Sequence, residues 1–172
     1  MINYDLSRVR VLIFDVDGVL SAATSAMDAL GQPMRTMNVK DGYAIQLACR
    51  NGLHLAIISG GRSNAVQLRY EGLGVKDIFM GSSVKLKTYK EFMSANGYED
   101  SEVLYMGDDI PDYEVMKSVG CPCCPNDASQ DIKDISVYVS PYDGGSGCVR
   151  DVIEQVLRAQ GVWLADKTSF DW

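Results

Sequence analysis

Asp15 and Asp17 stand one residue apart, directly after the apolar run Val9 to Phe14. Their charges repel at that spacing, so the pair is either a solvated Asp-Gly turn or a place where a cation sits. A second acidic stretch, Gly107-Asp108-Asp109-Ile110-Pro111-Asp112, follows the apolar run Val103 to Met106. Ser59, Gly60 and Gly61 follow a third run, and Lys85 comes shortly after a fourth, Asp77 to Met80. Carboxylates gathered in one volume are tolerated beside a hard cation, and magnesium, which takes oxygen ligands, fits such a set. A hydroxyl with free backbone N–H groups holds an anionic oxygen, and a lysine offers a point charge to a phosphate. Together these groups describe a phosphoryl-transfer site. Each has a plainer reading alone: a turn, a helix cap, a surface lysine, or an early-helix acid at Asp112 favoured by the helix dipole. Their order, and their repeated place at the ends of apolar runs, carries the inference.

The groups meet only if the runs are neighbouring strands. Short β-branched and apolar runs of this kind suit strands buried on both faces of a parallel sheet. Helical patterns lie between them. Asp41 is placed to cap one that stops at Gly52, a second precedes Gly72, and a third runs from about Lys85 to Gly97. Pro111 opens a fourth that stops before Gly120, and Val149, Val152, Ile153, Val156 and Leu157 share one face of a last helix before Gly161. The alternation predicts an α/β fold with a doubly wound, Rossmann-like parallel sheet that binds ligands beyond the carboxyl ends of its strands. Two pieces fall outside it: a hairpin at about 22–39 around Gly31-Gln32-Pro33, and a tail at about 162–172 carrying Trp163, Phe170 and Trp172. Gly144 to Gly147 reads as the one flexible joint.

The 172 residues, 47% apolar and 23% charged, suit a single globular domain spanning 1–172. A net charge of -7 argues against nucleic acid and anionic membrane surfaces as partners. The first residues lack the apolar core of a signal peptide and no apolar run approaches the ~20 residues that span a bilayer, so a cytoplasmic protein is expected. Five cysteines, an odd number, fit a reducing compartment. Cys121-x-x-Cys124 has the spacing of a metal knuckle but no partner pair, and the only histidine, His54, is distant in sequence, so a strand is the better reading.

Asp15-Val16-Asp17-Gly18-Val19, Ser59, Lys85 and Gly107 to Asp112 resemble the four ordered motifs of the haloacid dehalogenase-like phosphatases, and the resemblance covers nearly the whole chain. A hairpin where a large cap would be, Asn38-Val39-Lys40-Asp41-Gly42, Gly144 to Gly147 and the chain length are similar to the capless subgroup that contains 3-deoxy-D-manno-octulosonate 8-phosphate phosphatase. The resemblance implies that Asp15 attacks phosphorus to form an aspartyl-phosphate, and that Asp17 protonates the leaving oxygen and then activates water. It implies Mg2+ held by Asp15, the Asp17 backbone carbonyl and Asp108, with Asp109 or Asp112 orienting these ligands from behind. It places Ser59 and Lys85 on the phosphate, and Asn38, Val39, Lys40, Asp41, Gly42, Gly60 and Arg69 on the sugar acid. It also implies a homotetramer built on a barrel of hairpins, with one subunit's tail over a neighbour's site.

One position departs from the family pattern: Gly61, followed by Arg62, stands where an arginine is expected after Ser-Gly. A related nine-carbon keto-sugar acid 9-phosphate is therefore the alternative substrate. Two rivals from other classes are a non-catalytic assembly domain associated with a sugar-acid cytidylyltransferase and a phosphate-accepting signalling receiver. The presence of Asp15, Asp17, Lys85 and Asp108 opposes the first, and the Asp-x-Asp order opposes the second.

Overall fold

The computed structural model describes residues 1–171; Trp172, counted above with the tail, lies outside the described residues. Among these residues the strands are β1 (Val11–Phe14), β2 (His54–Ser59), β3 (Asp77–Met80), β4 (Val103–Met106), β5 (Cys121–Cys124) and β6 (Tyr138–Val139). The α-helices are α1 (Val39–Arg50), α2 (Asn64–Glu71), α3 (Lys85–Asn96), α4 (Tyr113–Met116), α5 (Gln130–Ile135) and α6 (Cys148–Ala159). All strand pairs are parallel, in the order β3-β2-β1-β4-β5-β6. β1 lies at the centre, between β2 and β4. The order reverses there, so the loops after β1 and β4 diverge to opposite faces and leave a crevice between them.

The pleat sorts the core into two layers. Leu12, Phe14, Leu104 and Met106 point to one face with α1 and α6, whereas Val11, Ile13, Val103 and Tyr105 point to the other with Tyr89, Phe92 and Ile132. The expected face of α6 is fully buried: Val149, Val152, Ile153, Val156 and Leu157 are each 0% exposed. Burial of that size stabilises by about 1.5–3 kcal/mol per side chain. Cys121 and Cys124 fall in opposite layers of β5, so their thiols cannot converge on one ion, and all five cysteines are free.

Several expectations need correction. Asn38, not Asp41, caps α1, accepting from the N–H groups of Lys40 (2.9 Å) and Asp41 (3.3 Å). Asp41 lies inside the first turn and turns its side chain toward α6, where Oδ1 accepts from the Arg150 N–H at 2.8 Å, so it caps a helix other than its own. Gly144 to Gly147 is no flexible joint. Gly145 N–H donates to the Val19 carbonyl (2.8 Å), and a Cβ at Gly144 would stand 2.0 Å from the Gly18 carbonyl oxygen, so only glycine lets this loop close on the one after β1. The helix expected from Pro111 is a 3-10 turn, Ile110–Asp112, running into the four-residue α4. The hairpin is present without a continuous ladder. Its arms meet at the Met27–Pro33 bridge, the turn between them is fixed by the Asp28 side chain, and Pro33 sits in an arm, not at the tip. No helix among the described residues is long and apolar enough to cross a membrane.

Candidate active site

Lys85 is the first residue of α3, the end of a helix where a positive charge is unfavourable. Two carboxylates offset that cost: Nζ lies 2.8 Å from Asp15 Oδ2 and 2.7 Å from Asp112 Oδ1. Asp15 is fixed a second time, since its Oδ1 accepts from the Val16 N–H at 2.7 Å. Asp112 also accepts from the Tyr105 hydroxyl (2.6 Å) and the Asp108 N–H (3.3 Å). Asp15, Lys85 and Asp112 are all buried. Asp109, at the edge of the same cleft, is exposed, with no side-chain hydrogen bond among the described residues.

Asp15, Asp108 and Asp112 each offer a carboxylate oxygen within 4.8 Å of the others'. Gly18 makes the approach possible. It has φ +83°, and a Cβ there would fall 1.9 Å from Asp108 Oδ2. A single ammonium faces three carboxylates, and the electrostatics record the excess. Burial, then repulsion from Asp15 and Asp112, pushes Asp108 up to about 7. Burial and Asp112 raise Asp15 against the opposing pull of Lys85. Burial alone would lower the Lys85 ammonium, but Asp15 and Asp112 outweigh it and hold it protonated. The oxygen donor set and its surplus negative charge suit a divalent hard cation.

Asp17 takes no part in that cluster. Its carboxylate receives Arg35 in a bidentate pair, Nε to Oδ1 at 2.7 Å and Nη2 to Oδ2 at 2.8 Å. The two aspartates thus coexist by pointing to different cations. Arg35 belongs to the hairpin and carried no signal in the sequence: it sits in no periodic pattern, and only the bare Gly61 facing it could have pointed there.

Ser59 ends β2 beside the β1 loop, and its Oγ accepts from the Gly61 N–H at 3.1 Å; the cap of α2 is Ser63, so Ser59 is not a helix cap. Gly60 lies in the same turn, with its chain exposed. Of the expected sugar-acid residues, Arg69 and Gly42 come together, because a Cβ on Gly42 would lie 2.6 Å from Arg69 Nη2. Asn38 spends its side chain on α1 and on the Gly145 carbonyl (3.3 Å). Val39 is exposed, Lys40 faces a separate hollow beside Arg150 and Glu154, and Asp41 is turned into the protein. His54 begins β2, at the end of that strand opposite Ser59 and the cleft, where Nε2 pairs with Asp77 Oδ2 at 2.6 Å.

Comparison with known proteins identifies the family of the chain. Residues 64–151 match the haloacid dehalogenase-like hydrolase family. The chain is 35% identical, over 90% of its length and 82% of the relative's, to 3-deoxy-D-manno-octulosonate 8-phosphate phosphatase of Yersinia pestis. The crystal structure of that phosphatase superposes with a TM-score of 0.88 at 34% identity, covering 92% of this chain and 85% of the other. The corresponding enzyme of Moraxella catarrhalis, solved with magnesium, phosphate and the sugar acid, gives a TM-score of 0.87 at 30% identity over 91% and 90% of the two chains. The chain therefore belongs to the haloacid dehalogenase-like hydrolase family, as a phosphoric monoester hydrolase.

Proposed function

We propose that this protein is a magnesium-dependent phosphatase that removes the terminal phosphate of 3-deoxy-D-manno-octulosonate 8-phosphate. The observation that carries the reading is the division of labour between the two aspartates. Asp15 is held by Lys85 and the Val16 N–H inside the acidic cleft, and Asp17 stands apart at its mouth. Asp15, Asp108 and the Asp17 backbone carbonyl would hold the ion, with Asp112 fixing Lys85 and the Asp108 loop behind them. A bound magnesium ion supplies positive charge that lets an ionised carboxylate and a phosphate dianion approach each other.

The chain's own groups do the rest. The Asp15 carboxylate attacks phosphorus in line, and the bond to the sugar oxygen breaks as the aspartyl-phosphate forms. Asp17, protonated from solvent on an oxygen that turns from Arg35 to the substrate, gives that proton to the leaving oxygen, then takes one from the water that hydrolyses the intermediate and regenerates Asp15. Lys85 and the Ser59 hydroxyl hold non-bridging phosphate oxygens. Gly60 lets the backbone approach the phosphate, and Arg69 meets the sugar acid. The bare position at Gly61 keeps a nine-carbon keto-sugar acid 9-phosphate as the second reading. A phosphate-release screen over both sugar-acid phosphates, with and without magnesium, decides between them. Release from neither, or full release after rigorous chelation, contradicts the proposal.

A cytoplasmic homotetramer joined through its hairpins fits the exposed apolar side chains there: Met27 is 72% and Leu30 84% exposed. The tail lies back along α1 of its own chain, with the Tyr43 hydroxyl donating to the Ser169 carbonyl, and leaves Phe170 exposed for a neighbouring subunit's site. Deleting residues 168–172 should leave a light-scattering mass of four chains and change kcat; an unchanged kcat in the intact tetramer removes the tail from the account.

A further inference from the structure

The pairing of Arg35 with Asp17 depends on a missing side chain. A Cβ on Gly61 would stand 2.4 Å from Arg35 Nη2 and 3.2 Å from Asp17 Oδ2. Any side chain at position 61 would need the volume that the guanidinium now fills. Arg35 therefore reaches across from the hairpin because the loop after β2 leaves the space open.

Two hollows of opposite character meet at this pair. The smaller, about 210 Å3, is bounded by Asp15, Asp17, Asp108, Asp109 and Asp112. The larger, about 520 Å3, lies between the hairpin and α2, and its charged walls are Arg35, Arg62 and Arg69 against Asp28. Among the described residues, Arg62 and Arg69 make no hydrogen bond or ion pair through their side chains. Arg35, Arg62 and Arg69 line this recess against Asp28, and although Arg35 is paired with Asp17 beside it and the Arg62 guanidinium lies over Gly81, the three leave a positive excess in a chain of net charge -7. The phosphate is served on the other side, by Lys85 and the cation-binding acids. The basic hollow is thus left for a second negative group on the same substrate.

We infer that Arg35, admitted by Gly61, is a specificity-determining residue that recognises a carboxylate on the leaving group of the phosphate ester. A guanidinium has more N–H donors than one carboxylate can take, so Arg35 holds Asp17 along one edge and offers the other to the substrate. No bond forms or breaks in this step. A carboxylated leaving group fixes Arg35, and through it Asp17, against the oxygen that must be protonated. A phosphate ester without a carboxylate leaves that edge unfilled. The inference rests on the phosphatase reading above and deepens it.

The test compares wild type with Arg35→Ala, Arg35→Lys and Gly61→Ala on 3-deoxy-D-manno-octulosonate 8-phosphate and on p-nitrophenyl phosphate, with magnesium. Arg35→Ala should raise KM for the sugar-acid phosphate about tenfold or more, the scale of a lost charge-assisted hydrogen bond, and disturb KM for p-nitrophenyl phosphate far less. A fall in kcat shared by both substrates is expected, since Asp17 loses its partner. Arg35→Lys should restore part of the KM. Gly61→Ala should reproduce the KM loss with the arginine still present, because its methyl group drives the guanidinium away. Calorimetric titration with the free sugar acid should show the same ranking without turnover. Equal KM changes on both substrates, or none, overturn the inference alone. A wild type that hydrolyses p-nitrophenyl phosphate but neither the octulosonate nor the nine-carbon ester overturns the substrate reading and the inference with it.

Discussion

Asp15 and Asp17 are separated by one residue yet belong to regions built in different ways. The acidic cleft around Asp15 is assembled by the ends of β1 and β4 and the start of α3, and its Asp15, Lys85 and Asp112 side chains are buried and tied to one another. The basic hollow beyond Asp17 is assembled from an inserted hairpin and one face of α2, and its arginines are largely untied. The first is positioned by the sheet, so its geometry persists whether or not a ligand is present. The second is positioned by a segment with a single antiparallel bridge, so it can adjust to the molecule it receives. The proposed function thereby assigns chemistry to the rigid part and substrate choice to the adaptable one.

The sharpest way to break this contrast is to remove the nucleophile. Asp15→Asn should lower phosphate release by at least about 10³-fold on every phosphate ester with the fold intact, because the proposed reaction has no other nucleophile. Comparable release by folded mutant and wild type would end the assignment. Asp112→Ala tests the rigid region from behind. It strips Lys85 of one of two buried partners and Tyr105 of its acceptor but also relieves the repulsion on Asp15 and Asp108, so chemical denaturation should show a loss of only about 1–3 kcal/mol together with a fall in kcat. A stable, active variant would mean that the cleft does not rely on that network.

The rigid region also predicts a pH dependence that the hollow does not share. Asp15 and Asp108 have folded pKa values raised above those of the unfolded chain, so the native state binds more protons between the two values. Without metal, the contribution of this pair to stability is fully present below about 4, the unfolded aspartate value, and is lost as pH rises through about 7 for Asp108. The melting temperature of the chelated protein should therefore fall by about 5–10 °C between pH 5 and 8, and magnesium should remove most of that slope. A chelated protein that gains stability over the same interval would reverse the sign and contradict a frustrated acidic cluster.

Smaller effects are expected in the hollow. Arg69→Ala should raise KM for the sugar-acid phosphate by less than about tenfold and keep most of kcat, as loss of uniform binding does. A kcat loss as large as that of Asp15→Asn would erase the distinction between the two regions. The smallest effect belongs to Asn38. Asn38→Ala should cost about 1 kcal/mol in denaturant unfolding through loss of the α1 cap, and change KM only modestly. A large KM effect at unchanged stability would return Asn38 to the substrate.

The same contrast explains what was legible in the sequence. The ends of β1, β2 and β4 could be read because parallel strands impose the order of the groups that follow them, and α6 could be read because its apolar period is regular. Arg35 could not, because it lies in a segment with no period and acts across an empty position, Gly61. The sequence pairs Asp41 with its own helix because it displays neighbours along the chain, whereas the partner in the structure, Arg150, is distant in sequence. β6 has two residues and α4 four, too short for any pattern to rise above composition.

In the proposed reaction Asp15 carries the phosphoryl group and Asp17 moves the protons. A rapid-mixing experiment on Asp17→Asn with p-nitrophenyl phosphate and magnesium tests both halves together. That substrate's leaving group needs little protonation, so transfer to Asp15 should proceed, while hydrolysis of the intermediate stalls without Asp17. The account predicts a burst of nitrophenol close to one equivalent per site, then slow release of phosphate, with the phosphoryl group found by mass spectrometry on the peptide containing Asp15. Nitrophenol and phosphate appearing in step with no burst, and no phosphoryl group on that peptide, would contradict it.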